Sequence, residues 1–245
     1  MTRNQTIPDI NEADSAFVRD LVIHKDDALL VFNKPAGLAV QTRGNRGRSL
    51  DFLLWAFARS NGKRPRLVHR LDTGTSGVLV TALTKPAAAN LSDSFAKRRV
   101  RKTYLALVRG PLPSEAAGEI HAPLLALKGV RGQPPVIVSD APGHKPALTH
   151  WRVLSRSGET ALMELHPKSG RMHQLRAHMR HMGCPILGDP LYGSGVLSAV
   201  RLMLHAQRLV LPHPNGGTGE FSAPVPGVFA AAALSSGLAG DALPA

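Results

Sequence analysis

Cysteine is almost missing: Cys184 stands alone in 245 residues, which excludes an internal disulfide framework and suits a reducing compartment. Aromatic side chains make up only 4% of the chain, too few for the broad stacking platform that grips single strands. No apolar run approaches the roughly 20 residues needed to cross a bilayer. The first fifteen residues, MTRNQTIPDINEADS, have no apolar core of the secretory type, and Asp9, Glu12 and Asp14 argue against a transit peptide. The expectation is a soluble, cytoplasmic chain without membrane association.

Acidic residues are scarce as well. Seventeen Asp and Glu face 30 Lys and Arg, a net charge of +13 and a pI near 10.8. Such an excess points to a polyanionic partner, nucleic acid foremost and an anionic membrane second. The cations are clustered. Arg43, Arg46 and Arg48 lie in the Gly-rich stretch TRGNRGR, Lys63, Arg64 and Arg66 precede HRLD, and residues 97–102 read KRRVRK. Any one cluster fits a solvated basic face, whereas three around one motif point to a surface that tracks phosphates.

With 43% hydrophobic residues the chain is long enough to bury a core without staples. Residues 1–20 are polar and aperiodic, a flexible tail by pattern. ALLVFN (28–33) reads as a strand closed by the turn Lys34-Pro35-Ala36-Gly37. Ser49 can cap a helix running to Arg59. Residues 77–82 read as a buried strand, and Pro86 suits the first turn of a helix with Ala88, Leu91 and Phe95 inward. KTYLALV (102–108) alternates like a strand. Residues 110–146 are Pro- and Gly-rich, loops with one short extended piece. Strands follow over 147–154 and 160–166 around a turn at Ser157-Gly158. A helix is predicted over 171–182, stopped by Gly183 and Pro185. Another strand is predicted over 207–211, with an Ala-rich helix running to about Ser236. Strands and helices mix without βαβ alternation, so the predicted class is α+β with a mixed, largely antiparallel sheet flanked by helices and loops. One catalytic domain over 21–236, with a short tail at 237–245, fits this order.

Two stretches carry candidate chemistry. In HRLDTGTSG (69–77) no Lys-Ser or Lys-Thr follows the glycines, which excludes a Walker A loop. The G-x-S-x-G elbow fails too, so Ser76 reads as a turn residue rather than a nucleophile. Asp72 remains, and a lone Asp before a turn is most often an Asx-turn acid. The second stretch is SGRMHQLRAHMRHMGC (169–184). His173 and His178 are five apart and point to different sides of a helix, and Arg171, Arg176 and Arg180 repel a cation, so no metal is expected. Met172, Leu175, Met179 and Met182 form one apolar stripe, with Arg176 on its border and Arg180 and His173 just beyond. A border arginine either snorkels or delivers its guanidinium to an enclosed acid.

Taken in order, VFNKPAG (31–37), HRLDTGTSG, KTYLALVRG (102–110), KPALT (145–149), SGRMHQLRAH, GDPLYG (188–193) and LMLHA (202–206) closely resemble the RluA-type pseudouridine synthases over residues 22–229. The resemblance implies the pseudouridine synthase fold and an intramolecular isomerisation of uridine in RNA. It maps the catalytic aspartate onto Asp72 and places Tyr104 against the target base. It pairs Arg176 with Asp72 and gives Arg70 the gap left when the base swings out. Members usually carry a small hydroxyl residue where this chain has Met172. Many also have an N-terminal S4-type RNA-binding domain, for which about 20 polar residues leave no room here.

The reaction breaks N1–C1′ and joins C5 to C1′ with nothing lost, so neither cofactor nor metal is implied. A second acid of the glycosidase kind is unnecessary, because no water is activated. Extruding the base costs a few kcal/mol, least in a loop or bulge, and single-stranded loops are where RNA sequence is most readable. An rRNA or tRNA stem-loop is therefore the expected substrate. Arg43, Arg46, Arg48, Lys97, Arg98, Arg99, Arg101, Lys102 and His173 are the expected RNA contacts beside Arg70. No protein partner is implied, and the lack of a coiled coil points to a monomer. The alternative is an RNA-binding protein without turnover, against which Asp72, Tyr104 and Arg176 together argue.

Overall fold

The computed structural model describes residues 10–42, 48–127, 135–193 and 199–243. Its contacts divide the chain into two compact units, Met1–Val100 with Val210–Ala223, and Arg101–Leu209 with Pro224–Ala245. The expected domain of residues 21–236 comprises parts of both.

The first unit opens on a helix, α1 (Glu12–Asp20), where a flexible tail was expected. The Asn11 side chain accepts from the Asp14 amide and caps it, and Glu12 and Asp14 sit where the helix dipole favours acids. Val18 is fully buried, and the Arg19 guanidinium donates to the Ala56 carbonyl at 2.7 Å. Residues 12–20 are therefore fastened by a cap, a buried side chain and a long-range hydrogen bond, none of which a polar composition reveals.

Strands β1 (Val22–Lys25) and β2 (Leu29–Lys34) form an antiparallel pair. Ser49 caps α2 (Leu50–Leu53), which tightens into a 3₁₀ turn over Leu54–Phe57 and ends two residues before the predicted Arg59. The two-residue strand β3 (Arg66–Leu67) and β2 both pair antiparallel with β4 (Ser76–Ala82). All seven residues of β4 are buried, as its unbroken apolar run predicts. Helix α3 (Lys85–Ala96) starts at a Thr84 cap with Pro86 in its first turn, and buries Ala87, Leu91 and Ser94. The buried stripe thus runs through Ala87 rather than Ala88.

The second unit holds β5 (Arg101–Arg109), β6 (Ala117–His121), β7 (Leu124–Ala126), β8 (Val136–Val138), β9 (Leu148–Ser157) and β10 (Thr160–Pro167). Three of these strands fall within residues 110–146, where loops with one extended piece were expected. Their alternation is too short to stand out among prolines and glycines. Helix α4 (Gln174–His181) follows, then β11 (Leu204–Pro212), which begins in the second unit and ends in the first. Strand β12 (Thr218–Ser222) turns back along β11, and α5 (Gly227–Ser235) closes the order.

The sheet order in the second unit is β11-β5-β10-β9-β6, with β7 and β8 as a separate ribbon. Strand β10 pairs antiparallel with β5 and β9, and β6 pairs antiparallel with β9. This is an α+β fold with a mostly antiparallel sheet. Leu105, Leu107, Leu162, Met163 and Leu165 from the sheet pack with Leu175 and Met179 of α4 and Phe229 of α5 in one buried cluster. Leu238 is also buried, so the expected C-terminal tail is anchored at its second residue.

Candidate active site

The bend that carries Asp72 lies in the first unit and is fixed from three directions. Strand β3 stops at Leu67, so the Val80 amide of β4 has no ladder partner on that side. The His69 imidazole supplies one, its Nε2 accepting from Val80 N–H at 2.9 Å, and the ring stacks on Phe95 with centroids 4.5 Å apart. Leu71 is buried beside the acid, and Thr75 N–H closes a turn on the Asp72 carbonyl at 3.0 Å. Gly77 then holds φ at +116°, a region that side chains disfavour.

The third support comes from the NKPAG stretch. Lys34 is fully buried, and its Nζ donates to the carbonyls of Pro35 at 2.9 Å, Leu38 at 2.8 Å and Thr73 at 3.3 Å. The Thr73 carbonyl also accepts from Gly37 N–H at 2.8 Å. A buried ammonium needs such acceptors, and here one of them is the residue after Asp72. Asp72 itself is half-buried and Arg70 is exposed.

Tyr104 and Arg176 belong to the second unit. Tyr104 is half-buried on β5, opposite Leu165 of β10. Arg176 is 5% exposed, which removes the snorkelling alternative. Its Nε and Nη2 donate to Oδ2 and Oδ1 of Asp189, each at 2.7 Å, a two-pronged pair. The Asp189 Oδ1 also accepts from the amides of Leu191 at 2.9 Å and Tyr192 at 3.0 Å. Burial works to raise the Asp189 pKa, but Arg176 and the two amides outweigh it and hold the carboxyl below its usual range. The Tyr192 ring lies 5.0 Å from the Arg176 guanidinium carbon. Its hydroxyl is 3.1 Å from His173 Nδ1.

His173 has φ +52°, left-handed for a residue with a side chain, so α4 starts three residues later than the expected Arg171. Met172 consequently lies outside the helix and is 47% exposed, off the expected stripe. Behind the helix, Gln174 Oε1 accepts from the Ser169 hydroxyl at 2.7 Å and the Arg171 amide at 3.1 Å. His178 is buried against Thr149 and Ala122.

The expected RNA contacts are dispersed. Arg43 and Arg46 lie outside the described residues. Arg48 pairs with Asp14 at 2.7 Å and covers the Phe17 ring. Lys97 and Arg99 share Asp93, and Lys102 Nζ donates to the Ser169 carbonyl at 3.0 Å. Arg98 and Arg101 are exposed at the end of α3 and the start of β5.

GDPLYG and VFNKPAG carry the family resemblance without pointing to individual roles for Asp189, Tyr192, Lys34 or His69. Their signal was the spacing of these short motifs; their partners are set by tertiary structure.

A family profile described as RNA pseudouridylate synthase matches residues 28–181. The chain is 41% identical over 202 residues to a Chloroflexus aurantiacus protein named uncharacterized RNA pseudouridine synthase, covering 79% of this chain and 62% of that protein's length. It is 39% identical over 225 residues to the ribosomal large subunit pseudouridine synthase D of Zymomonas mobilis, covering 84% and 69%. It is 38% identical over 208 residues to the dual-specificity RNA pseudouridine synthase RluA of Escherichia coli K12, covering 83% and 92%. Among solved structures, human RNA pseudouridylate synthase domain containing 4 superposes with a TM-score of 0.79 at 26% identity, covering 93% of this chain and 98% of that one. Profile, relatives and fold agree: the chain belongs to the RNA pseudouridylate synthase family, in its RluA-type branch.

Proposed function

We propose that this chain isomerises specific uridines in rRNA or tRNA stem-loops, with Asp72 as the nucleophile. The observation that carries the reading is the bend at Asp72, which Lys34, His69 and a strand-entry glycine hold in one shape. A single half-buried carboxylate on a fixed bend suits a reaction in which nothing is hydrolysed and one group must meet the nucleoside repeatedly in the same pose.

In this mechanism the target uridine leaves its stack, at a cost of a few kcal/mol, and Arg70 takes the vacated position. Asp72 engages the nucleoside, the N1–C1′ bond breaks, and the uracil turns. C5 then bonds to C1′, the C5 hydrogen leaves as a proton, and N1 gains one. Tyr104 stacks on the base, and Arg176 pairs with Asp72 and orients it. Exposed cations, Arg98 and Arg101 among them, hold the flanking phosphates. The acting form in this proposal is a monomer, working in the cytoplasm.

RNA labelled with tritium at uridine C5 tests the reading, because forming the new C–C bond must release that label. The expected result is release from bulk rRNA or tRNA by the wild type and none by Asp72→Asn. RNA binding without release, on both substrates, would establish the non-catalytic binder instead.

A further inference from the structure

We infer that Asp189 is a positioning residue for the reaction, acting through Arg176. This rests on the role proposed for Arg176, and it adds a residue that has no contact of its own with the nucleoside in that mechanism.

The geometry is over-determined in a way that stability alone does not require. Asp189 and Arg176 are 3% and 5% exposed, and their two hydrogen bonds are each 2.7 Å. Burying such a pair gains little net stability, since desolvation offsets most of the attraction, whereas it fixes direction well. The carboxylate is itself immobilised by the Leu191 and Tyr192 amides, and Gly193 N–H returns to the Asp189 carbonyl at 3.0 Å to close the turn. Gly193 permits that closure, because a Cβ there would stand 2.5 Å from the same carbonyl oxygen.

The Tyr192 ring then covers the guanidinium on one face, and its hydroxyl meets His173 at the strained start of α4. Arg176 is thus held by a carboxylate at two of its nitrogens, by a ring at its face, and by its own helix. Asp189 takes one N–H each from Nε and Nη2, so the direction in which the other guanidinium N–H groups point follows from where the carboxylate holds the plane. Losing one of the two acceptor oxygens would let that plane rotate, and a displacement of about 1 Å can cost of order a hundredfold in rate.

Asp189→Asn and Asp189→Glu, alone and combined with Arg176→Lys, test this by tritium release at saturating RNA, with the wild type as control. The expected result for Asp189→Asn is a fall in kcat of about tenfold or more with KM for RNA within about twofold. In the Arg176→Lys background the same substitution is expected to change kcat by less than about twofold, because its route of action is gone. Asp189→Glu, which keeps the charge, is expected to lose less kcat than Asp189→Asn, and it serves if Asp189→Asn fails to fold by circular dichroism. Wild-type kcat in Asp189→Asn, effects that multiply in the double variant, or losses in kcat and KM that simply track thermal unfolding would overturn the inference. A wild type without tritium release would instead overturn the proposed function.

Discussion

His178 and Thr149 share a hydrogen bond whose direction is set by their other partners. The imidazole Nε2 is 3.0 Å from the Ala122 carbonyl, which can only accept, so Nε2 carries the proton. Nδ1 then accepts from the Thr149 hydroxyl at 2.9 Å, and the Thr149 oxygen in turn accepts from Gln174 Nε2 at 3.1 Å. The chain Gln174 to Thr149 to His178 to Ala122 is satisfied with a neutral ring. Burial, the largest influence, lowers the His178 pKa, although the bond to Ala122 pulls the other way.

Stability should therefore depend on pH through His178. The unfolded chain takes the proton near pH 6.5, above the folded value, so this contribution is complete above about pH 6.5 and declines as pH falls toward the folded pKa. Urea unfolding at pH 7.5, 6 and 5 is expected to show a smaller loss of stability over this range in His178→Gln than in the wild type.

Cys184 is fully buried, and burial pushes its thiol pKa up to about 11. A thiol rather than a thiolate is present at pH 8, so reaction with a disulfide reagent such as dithiobisnitrobenzoate is expected to be slow in the folded protein and complete within minutes in urea. Fast reaction without denaturant would contradict the burial.

Lys34→Met keeps the stem's volume and removes the donor from three carbonyls. A loss of about 2–4 kcal/mol is expected, read from urea midpoints. At a temperature where the variant is folded, tritium release is also expected to fall, because the Thr73 carbonyl next to Asp72 keeps only the Gly37 amide of its two donors.

Gly193→Ala brings a methyl group 2.5 Å from the Asp189 carbonyl oxygen. The turn must open, at an expected cost of about 1–3 kcal/mol in stability. Gly216→Ala, whose Cβ meets nothing within 4 Å but whose φ is +99°, pays only for backbone strain and is the comparison, with a drop in Tm smaller than that of Gly193→Ala.

Much of the fold was legible because local signals agreed with tertiary ones. Pro86 announced α3, Ser157-Gly158 announced the β9–β10 hairpin, and the apolar run before Ala82 announced a strand covered on both sides. The failures have a common cause. Residues 12–20 have the look of a tail because only one of their side chains is deeply buried, and the Arg19–Ala56 and Arg48–Asp14 contacts that fasten them span 34 or more residues. Helix α4 begins later than predicted because nothing in SGRMHQ signals a left-handed backbone at His173, whose ring meets a Tyr192 hydroxyl 19 residues on. The aspartate of the bend could be singled out by its motif, whereas Asp189 could not, since a salt bridge across 13 residues leaves no periodic trace.

The neutral sum of Arg176 and Asp189 bears on how this molecule should meet its polyanion. A guanidinium cancelled by its own carboxylate and shielded from solvent displaces no condensed counterions, so it adds nothing to long-range attraction. That task falls to exposed cations such as Arg70, Arg98 and Arg101. Ionic strength should then weaken capture of RNA steeply while leaving the rate within the bound complex almost untouched, separating encounter from chemistry by salt alone.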